Sequence, residues 1–535
     1  MYSFNIRKEK DYFLLPASPT PNGRMHLGHI AGPYLKMDIL KRKVQRGGGN
    51  SFLVSGSDVY ESHIEIKATQ LNISEEDVCN RFHELIVKDF EALDIEFDLF
   101  INPLETVYRE RFASRERELF QDLIDSGKVV QQEETFIYDT LQGRYLAGCW
   151  IKGKCPNCNS ETGSYLCENC GLHYRPIDIF RSENYPGAEL RKSSSLYLQL
   201  NPQRLSLAIE QVSNGKFLDI FQKYVELQGP YIRLTTPQDS GVEWPVNADE
   251  RQVIFSYLAN LLAYIFFADV CKEKFGLSEN PLSKNSSFVT AVSFGTDTVL
   301  PFTAGLMAVG DTLSEYRSFD HYISNYLYNL NGEKFSTSRG NVIWGGDIVH
   351  LANVQSDLVR YYLTKQNPEN EVKNFNVDDF IDTVNLVLYQ RHNQSIDSAC
   401  ARAESGNMIE NSLYQELEHL ICQQNTCMEP PVFNFSGSLD PIERWVDRYN
   451  EWRDEERDVY AYWWLKGYAL LAYPVMPDVS KKLWSHLSRE TEIRLDNFFG
   501  DMTLQVPFES IPQFRTLTYD ELAKCLPSRM LSDVS

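Results

Sequence analysis

The stretch Pro19-Thr-Pro-Asn-Gly-Arg-Met-His-Leu-Gly-His29 decides how this chain folds. It follows an apolar run, Tyr12 to Leu15, that predicts a buried strand, and Asn22-Gly23 predicts a turn before a helix. A helix N-terminus binds anions because its free N–H groups and its dipole both point at the ligand. The imidazoles of His26 and His29, one turn apart, would add hydrogen-bond donors for the same phosphates.

A second stretch, Lys334-Phe-Ser-Thr-Ser-Arg339, suits the same ligand. A Ser/Thr-rich loop with one Lys is a natural partner for a developing pyrophosphate. Gly28, in the first stretch, would let a flat ring approach the backbone. Either stretch alone is as easily a polar turn. The two stretches together, in this order, predict a binding site for a nucleoside triphosphate.

At these residues the chain resembles the class I aminoacyl-tRNA synthetases. His-Leu-Gly-His preceded by Asn-Gly looks most like the methionyl enzymes. Lys-Phe-Ser-Thr-Ser looks like their Lys-Met-Ser-Lys-Ser loop, with Thr337 in place of the second Lys. The likeness covers most of the chain and is strongest over residues 12–66, 145–180 and 325–365.

The order of patterns along the chain also fits that family. The pattern of residues 10 to 120 predicts alternating strands and helices. Within it, the apolar run Phe52-Leu53-Val54 ends in a turn that carries Asp58. Ligands sit at the carboxyl ends of strands in such doubly wound sheets. Beyond about residue 376 the chain becomes helical and rich in aromatic residues.

The resemblance implies an α/β fold, with a Rossmann-type class I synthetase catalytic domain, a zinc-knuckle insertion, and an all-α helical bundle after them. We expect five segments: the first half of the catalytic domain at 1–120, the connective insertion at 121–225, the second half at 226–325, a stem-contact segment with the Lys334 loop at 326–375, and an anticodon-binding-like helical domain at 376–535.

Four of the eleven cysteines form two knuckles, Cys155-Pro-Asn-Cys158 and Cys167-Glu-Asn-Cys170. Two Cys-x-x-Cys pairs with a short spacer bring four thiolates within tetrahedral reach, which favours structural zinc. Free thiols or a disulfide pair are the alternatives, and a reducing compartment argues against the disulfide. The other seven cysteines are scattered, and we interpret them as small core residues or incidental thiols.

The resemblance implies that a carboxylate attacks the α-phosphorus of ATP and leaves an aminoacyl adenylate, with Mg²⁺ accompanying ATP. His26 and His29 would contact the phosphates, and Lys334 would neutralise the transition state. The remaining ATP-binding candidates are Asn22, Gly28, Gly295, Asp297, Ser336 and Ser338. The amino-acid candidates are Ser18, Asp58 and Phe302; Asp58 matches the family's acidic residue for the substrate ammonium, although a solvated turn Asp is the alternative.

The amino-acid pocket departs from the methionyl pattern. Phe302 stands where the family has a His, and Ser18 stands where it has a Leu. The family's Trp-Leu-Asp-Ala-Pro segment falls opposite Phe255-Ser-Tyr-Leu-Ala259. Its Ile-Ser-Arg segment falls opposite Arg233-Leu-Thr235, so that the Arg is missing. We therefore expect the adenylating apparatus without a good methionine pocket.

The C-terminal region gives mixed signals about tRNA. Trp452 sits where the family has a base-stacking Trp, yet plain core packing is equally compatible with the pattern. Residues 376–535 hold about 26 acidic against about 14 basic side chains, and the whole chain has a net charge of −22. A tRNA ligand would need a local basic surface, so we expect weak tRNA binding.

Composition fits a globular protein of several domains, with 535 residues of which 43% are hydrophobic. No stretch approaches the roughly 18 uninterrupted apolar residues of a membrane span. The longest candidate, Val253 to Val270, is interrupted by polar residues and predicts a buried helix. The first ten residues lack a signal-peptide core, so we expect a cytoplasmic location and no membrane partner.

Three functions remain open. The first is a methionyl-tRNA synthetase-like ligase. The second is a synthetase-like ligase that delivers its activated amino acid to a small amine, a hydroxyl or a carrier protein. The third is a catalytically silent homologue that serves as a binding module, against which the intact His26, His29 and Lys334 argue.

Overall fold

The computed structural model describes residues 4–6, 8–163, 165–213, 217–247, 250–337, 339–404, 409–430, 432–500, 504 and 514–531. Five described strands form one parallel sheet: β1 Tyr12–Pro16, β2 Ser51–Gly56, β3 Leu99–Ile101, β4 Val289–Gly295 and β5 His321–Asn325. Their order is β5-β4-β1-β2-β3. The predicted strands before the His26 turn, before Asp58 and before Asp297 are all present.

Strand β1 is the centre of this sheet and is covered on both faces. Leu14 belongs to one hydrophobic core, and Phe13 and Leu15 belong to the other. Such burial on both sides is typical of parallel strands with helices on each face. Because β2 and β4 flank β1 on opposite sides, the order in which strands are added to the sheet reverses at β1. The crevice at the carboxyl ends of these strands is therefore where a ligand is expected.

Helices cover the sheet. The buried helix Leu35–Arg46 follows the short turns Leu27–His29 and Ile30–Tyr34, and packs against β1 and β2. The apolar helix predicted from Val253 to Val270 spans Ser256–Phe275 instead, because Val253 and Ile254 pair in the strand Glu250–Ile254; the helix packs against β2 and against Arg109–Asp125. The other helices between the strands are Ser62–Leu71, Glu75–Ala92 and Leu306–Thr312, with the wide turn Pro301–Gly305 before the last. Within the described ranges, no helix combines the length and the apolar character that crossing a membrane requires.

A separate antiparallel layer lies between β3 and β4. Its strands are Arg144–Tyr145, Val129–Asp139, Ala188–Gln199 and Tyr231–Arg233, in that spatial order. Smaller pairings join Gly153–Lys154 to Glu161–Thr162, and Glu250–Ile254 to Thr235–Thr236 and Glu243–Asn247. The helices of this region are Pro202–Ser213 and Leu218–Gln228.

After β5, a small sheet of Tyr328–Leu330, Glu333–Lys334 and Lys373–Phe375 carries the Lys334 loop. The helices Gly345–His350 and Ser356–Lys365 complete this segment. The rest is helical: Val377–Asp382, Thr383–Asn393, Gln394–Arg402, Asn411–Met428, Asp440–Glu451, Asp454–Ala472, Pro477–Leu487, Tyr519–Ala523 and Ser528–Leu531.

The predicted fold class is confirmed: a parallel α/β sheet, a cysteine-knuckle insertion and a helical C-terminal region. The bundle is continuous with the core on one face of the sheet, since both belong to one hydrophobic cluster. The five domain boundaries stay predictions.

Candidate functional site

The first motif forms the turn between β1 and the helix after it. His26 is the N-cap of Leu27–His29, and its Nδ1 accepts a hydrogen bond of 3.2 Å from the backbone N–H of His29. The two imidazole rings are stacked with their centroids 3.6 Å apart. The predicted pair of histidines is therefore one unit at the carboxyl end of the central strand.

Both imidazoles of this pair are held neutral. Burial lowers the pKa of His26 well below its ordinary value, and His29 and Lys334 lower it further. The pKa of His29 falls to about 4, because of the protein atoms packed around the ring and because of the Lys334 charge, although Glu168 opposes this and part of the residue stays exposed to solvent. Since Nδ1 of His26 accepts a hydrogen bond, its proton lies on Nε2. The pair thus offers N–H donors without positive charge.

The Lys334 loop closes onto this turn through Phe335. The Phe335 ring stacks on His26 with 4.8 Å between centroids. A Cβ on Gly28 would lie only 2.9 Å from the Phe335 ring, so this contact requires glycine at that position. Ser336 and Asn341 exchange two backbone hydrogen bonds of 3.0 Å each, which close the loop. The two predicted stretches therefore meet in the structure.

The base of the loop is also fixed. The Asn341 side chain donates to the carbonyl oxygen of Lys334 at 3.1 Å. The predicted contribution of Ser338 lies outside the described residues.

Lys334 has a partner that the sequence did not suggest. Its Nζ lies 2.8 Å from Oε2 of Glu168, the residue after Cys167 in the second knuckle. The protein atoms around Glu168 would raise the pKa of its largely exposed carboxyl group, but Lys334 lowers that pKa below its ordinary value. The insertion therefore reaches across the cleft and contacts the loop.

The four predicted cysteines form one cluster. Their Sγ atoms lie within 4.8 Å of one another, with 3.7 Å between Cys155 and Cys170 and 3.6 Å between Cys158 and Cys167. A tetrahedron of thiolates with Zn–S bonds of 2.3 Å has edges of about 3.8 Å. No disulfide joins any of these four cysteines in the structure. The cluster fits a zinc ion.

The knuckle touches the turn that follows β4. Gly171 has φ +73°, and a Cβ there would lie 2.7 Å from the carbonyl oxygen of Thr296. Asp297 is on this turn, and burial raises the pKa of its carboxyl group. A Cβ on Gly295 would lie 2.3 Å from Oδ1 of Asp297, so the Asp297 carboxylate sits directly against this glycine. The predicted Gly295 and Asp297 thus lie between β4 and the knuckle.

Asp58 lies at the tip of the neighbouring strand, β2. Its backbone N–H donates to the carbonyl oxygen of Pro19 at 3.0 Å, which brings it to the start of the first motif. In that motif the N–H of Asn22 donates to the carbonyl oxygen of Thr20 at 2.9 Å, which closes the predicted turn. Burial raises the pKa of Asp58 well above its ordinary value, and the nearby Glu61 raises it further.

Ser18, just after β1, and Phe302, just after β4, both lie close to Tyr264. The backbone N–H of Ser18 is 3.5 Å from the hydroxyl oxygen of Tyr264. Phe302 is buried, stacked on Phe294 at 5.2 Å and close to Tyr264. The Phe302 ring is therefore part of the hydrophobic core beneath the predicted amino-acid pocket.

A cavity of about 110 Å³ lies between the insertion sheet and the turn before Leu306. It is lined by aromatic side chains, among them Tyr165, Tyr197 and Phe255. Its buried guanidinium, Arg233, is already paired with Glu134 at 2.6 Å. Arg233 is thus committed to holding the insertion sheet together.

Trp452 lies inside the helical bundle. Its side chain is only 4% exposed, and its ring packs against Tyr449 and Tyr460 at 5.8 Å and 5.1 Å. The Arg448 guanidinium lies over the same ring. In this arrangement the ring has no free face for a base.

Sequence reasoning missed three residues of this region. Glu168 gives no signal, because a knuckle tolerates many residues between its cysteines. Arg24 pairs with Asp89 at 2.7 Å and with Asp347 at 2.9 Å, which anchors the first motif to later helices.

The third missed residue, Glu116, could have been found. It falls at helical spacing among Phe112, Leu119 and Leu123, the apolar face of its helix. A charged residue in that register indicates a buried carboxylate.

Comparison with known proteins gives the same family. The sequence profile of the family tRNA synthetases class I (M) matches residues 12–397. The chain is 27% identical to a methionine–tRNA ligase of Pelodictyon phaeoclathratiforme over 395 residues, which covers 69% of this chain and 55% of that protein. It is 28% identical to a methionine–tRNA ligase of Porphyromonas gingivalis over 389 residues, 70% and 55% of the two chains. The chain thus spans about half the length of the curated relatives it matches.

Solved structures show the same fold. The methionyl-tRNA synthetase of Mycobacterium tuberculosis in complex with methionyl-adenylate superposes with a TM-score of 0.69 at 15% identity, over 94% of this chain and 100% of that one. The apo form of the same enzyme superposes with a TM-score of 0.64 at 14% identity, over 95% of this chain and 99% of that one. The resemblance inferred from two short stretches is confirmed: the chain belongs to the family tRNA synthetases class I (M).

Proposed function

We propose that this protein is a methionyl-tRNA synthetase-like ligase, which activates an amino acid with ATP as an aminoacyl adenylate and transfers it to tRNA. Membership of the class I family supports the reaction type. The observation that carries the proposal is the contact between the two motifs, in which Phe335 stacks on His26 and Lys334 points into the same cleft as His29. A silent homologue would have no need to keep these groups together.

In the proposed reaction the amino acid's carboxylate attacks the α-phosphorus of ATP, and pyrophosphate leaves. His26 and His29, both neutral, donate N–H groups to the phosphates. Lys334 supplies positive charge where negative charge develops, and needs to release Glu168 to do so. Positioning and charge stabilisation suffice, because no covalent enzyme intermediate is needed.

The ends of the two reactants are held by neighbouring strands. Asp58, at the tip of β2, takes the α-ammonium group of the amino acid. Gly295 and Asp297, at the tip of β4, take the adenosine side, together with Asn22, Gly28, Ser336 and Ser338. Mg²⁺ is expected to arrive with the phosphates of ATP.

Zinc is proposed as a structural ion of the insertion. Cys155, Cys158, Cys167 and Cys170 would hold it, and a closed four-thiolate site has no open position for chemistry. Its contribution would be to fix the knuckle, and with it Glu168 and Gly171, against the cleft.

The acyl acceptor has a second candidate. The acidic excess of residues 376–535 and the buried Trp452 are the reasons to keep a small amine, a hydroxyl or a carrier protein as the alternative acceptor. The methionine–tRNA ligases that the chain matches nevertheless make tRNA the first acceptor to test.

The experiment is ATP–pyrophosphate exchange across the amino acids, followed by acyl transfer with and without total tRNA. We expect exchange with at least one amino acid, and loss of that exchange in Lys334→Ala. Wild-type protein that binds ATP but exchanges with no amino acid would contradict the proposal.

A further inference from the structure

A small cavity of about 20 Å³ lies beneath Asp58, between the helices Arg109–Asp125 and Ser256–Phe275. Its polar lining includes Ser18, Asp58, Glu116 and Asn260, and the hydroxyl-bearing Ser57, Tyr60 and Ser256 also line it. A volume of this size holds roughly one water molecule or one small polar group. The cavity therefore extends the proposed amino-acid site by the length of a short functional group.

Glu116 is the unusual member of this lining. Its side chain is 1% exposed, and neither carboxylate oxygen has a hydrogen-bond partner among the described residues. Burial raises the pKa of Glu116 well above its ordinary value, and the charge of Asp58 raises it further. Arg117, next to it in sequence, favours the ionised form but is outweighed. Glu116 is therefore a carboxyl group without a partner in a cavity that it shares with Asp58.

Leaving such a group unpaired is costly. A buried polar group without a hydrogen bond destabilises the fold, and a buried charge without a partner destabilises it more. An apolar residue would pack between the two helices at no such cost, as Phe112 does one turn earlier. A ligand that brings hydrogen-bond donors, and preferably positive charge, would remove the penalty.

The α-ammonium group of an amino acid would pair with Asp58 and would leave Glu116 without a partner. A methionine side chain ends in a thioether, which has no donor for Glu116. A divalent cation fits less well, because among the described residues only the four knuckle cysteines group three or more metal-ligand atoms within reach of one another. A second donor group on the substrate itself fits better than a single water molecule, because it can also bring the positive charge that a buried carboxylate needs.

We propose that Glu116 makes this pocket selective for an amino acid whose side chain carries a second cationic donor, such as an amino group. The proposal rests on the proposed function, since it assigns the substrate class of the same site. Asp58 pairs with the α-ammonium group, and Glu116 ionises to pair with the side-chain ammonium group. Ser18, where the resemblance expects Leu, leaves room on the same side.

Two assays on the full chain test this inference. The first measures the shift in unfolding temperature caused by 2,4-diaminobutyrate, ornithine, lysine, methionine and norleucine, without ATP. The second measures ATP–pyrophosphate exchange with the same amino acids. Norleucine is the matched control, because it has a chain like that of lysine but no donor.

The variants are Glu116→Gln and Glu116→Val, with Glu118→Gln as a surface control on the same helix. Glu116→Val removes an unpaired buried carboxyl group, so it should fold and unfold at the same or a higher temperature. Sites built around a hydrogen bond reject analogues that lack it by up to about 10⁴–10⁵, so we expect a preference of at least about 100-fold in kcat/KM for a diamino acid over norleucine. The preference should disappear in both Glu116 variants and persist in Glu118→Gln.

The outcomes separate the two proposals. A Glu116-dependent thermal shift with a diamino acid but no exchange would support this inference and contradict the proposed activity. Strong exchange with methionine, unchanged in Glu116→Val, would support the activity and overturn this inference. A Glu116-dependent shift caused by Mg²⁺ or Ca²⁺ alone, with none from diamino acids, would also overturn it.

Discussion

Lys334 and Glu168 form an ion pair of 2.8 Å that joins the loop after β5 to the cysteine knuckle of the insertion. Both side chains are partly exposed, at 47% and 63%. Pairs of this kind contribute about 0–1 kcal/mol, which the phosphates of a nucleotide can easily outcompete. The pair therefore holds the loop near its working position and competes only weakly with ATP.

Removing the Glu168 charge should help ATP binding slightly. In Glu168→Gln, Lys334 no longer has a competing carboxylate, so KM for ATP should fall by up to about fivefold, the equivalent of about 1 kcal/mol. The measurement is exchange kinetics at varied ATP. Glu161→Gln is the matched control, since Glu161 lies in the same knuckle but pairs with Lys154 instead. A rise in KM would show that Glu168 helps to bind ATP.

Removing Lys334 itself should be far more damaging. Loss of one positioned charge at a developing anion costs about 10²–10³ in rate, so Lys334→Ala should lower kcat of exchange by that factor. The unfolding temperature should hardly change, because the side chain is half exposed. Lys373→Ala, in the same small sheet and paired with Glu371, should keep its activity. Near wild-type exchange in Lys334→Ala would mean that the site has been misidentified.

Local sequence patterns were enough for the frame of this site but not for its long-range pairings. The ends of β1, β2 and β4 followed from apolar runs that stop at Pro, Ser or Gly, and the knuckle followed from its spacing. The pair of Lys334 with Glu168 spans 166 residues and leaves no local trace. Trp452 showed the limit differently, since an aromatic residue at the end of an amphipathic helix is compatible with a core or with a surface.

The histidine pair should stay neutral over the usual assay range. The pKa of His29 is lowered to about 4 and that of His26 is also lowered, so neither gains a proton between pH 8 and 5.5 in the free enzyme. Since kcat/KM reports ionisations of the free enzyme, its pH profile should have the same shape in wild type and in His29→Gln over that range. The value of kcat/KM should be lower in His29→Gln than in the wild type at every pH in that range. A step near pH 6.5 that is present only in the wild type would contradict this.

The knuckle should hold one zinc ion. Metal analysis of protein prepared without chelators should find about one zinc per chain, since the four Sγ atoms have the spacing of a tetrahedral site. Cys155→Ser should lose the metal and lower the unfolding temperature, because metal binding at such sites contributes directly to folding. Cys422→Ser, at an exposed cysteine elsewhere, is the control. Metal-free wild-type protein of unchanged stability would argue for four ordinary thiols.

Trp452→Ala should destabilise the bundle rather than weaken a tRNA complex. Removing a buried Trp side chain costs about 3–5 kcal/mol, and Trp452 packs between Tyr449, Tyr460 and Arg448. Basic residues nearby are already paired, as Arg391 is with Asp447 and Arg402 with Asp454. Few cations thus remain to release counterions from phosphates, so total tRNA should bind weakly at physiological salt.

The matched variants separate packing from base stacking. Trp452→Phe keeps most of the buried surface and should recover most of the unfolding free energy. Tyr389→Ala removes an exposed aromatic ring from the same bundle and should cost little stability. Filter binding across a salt series measures the complex in each variant. A submicromolar complex that Trp452→Phe weakens without loss of stability would place the ring against a base, since stacking contributes about 1–3 kcal/mol. In that case Trp452 would have to leave the bundle core when tRNA binds.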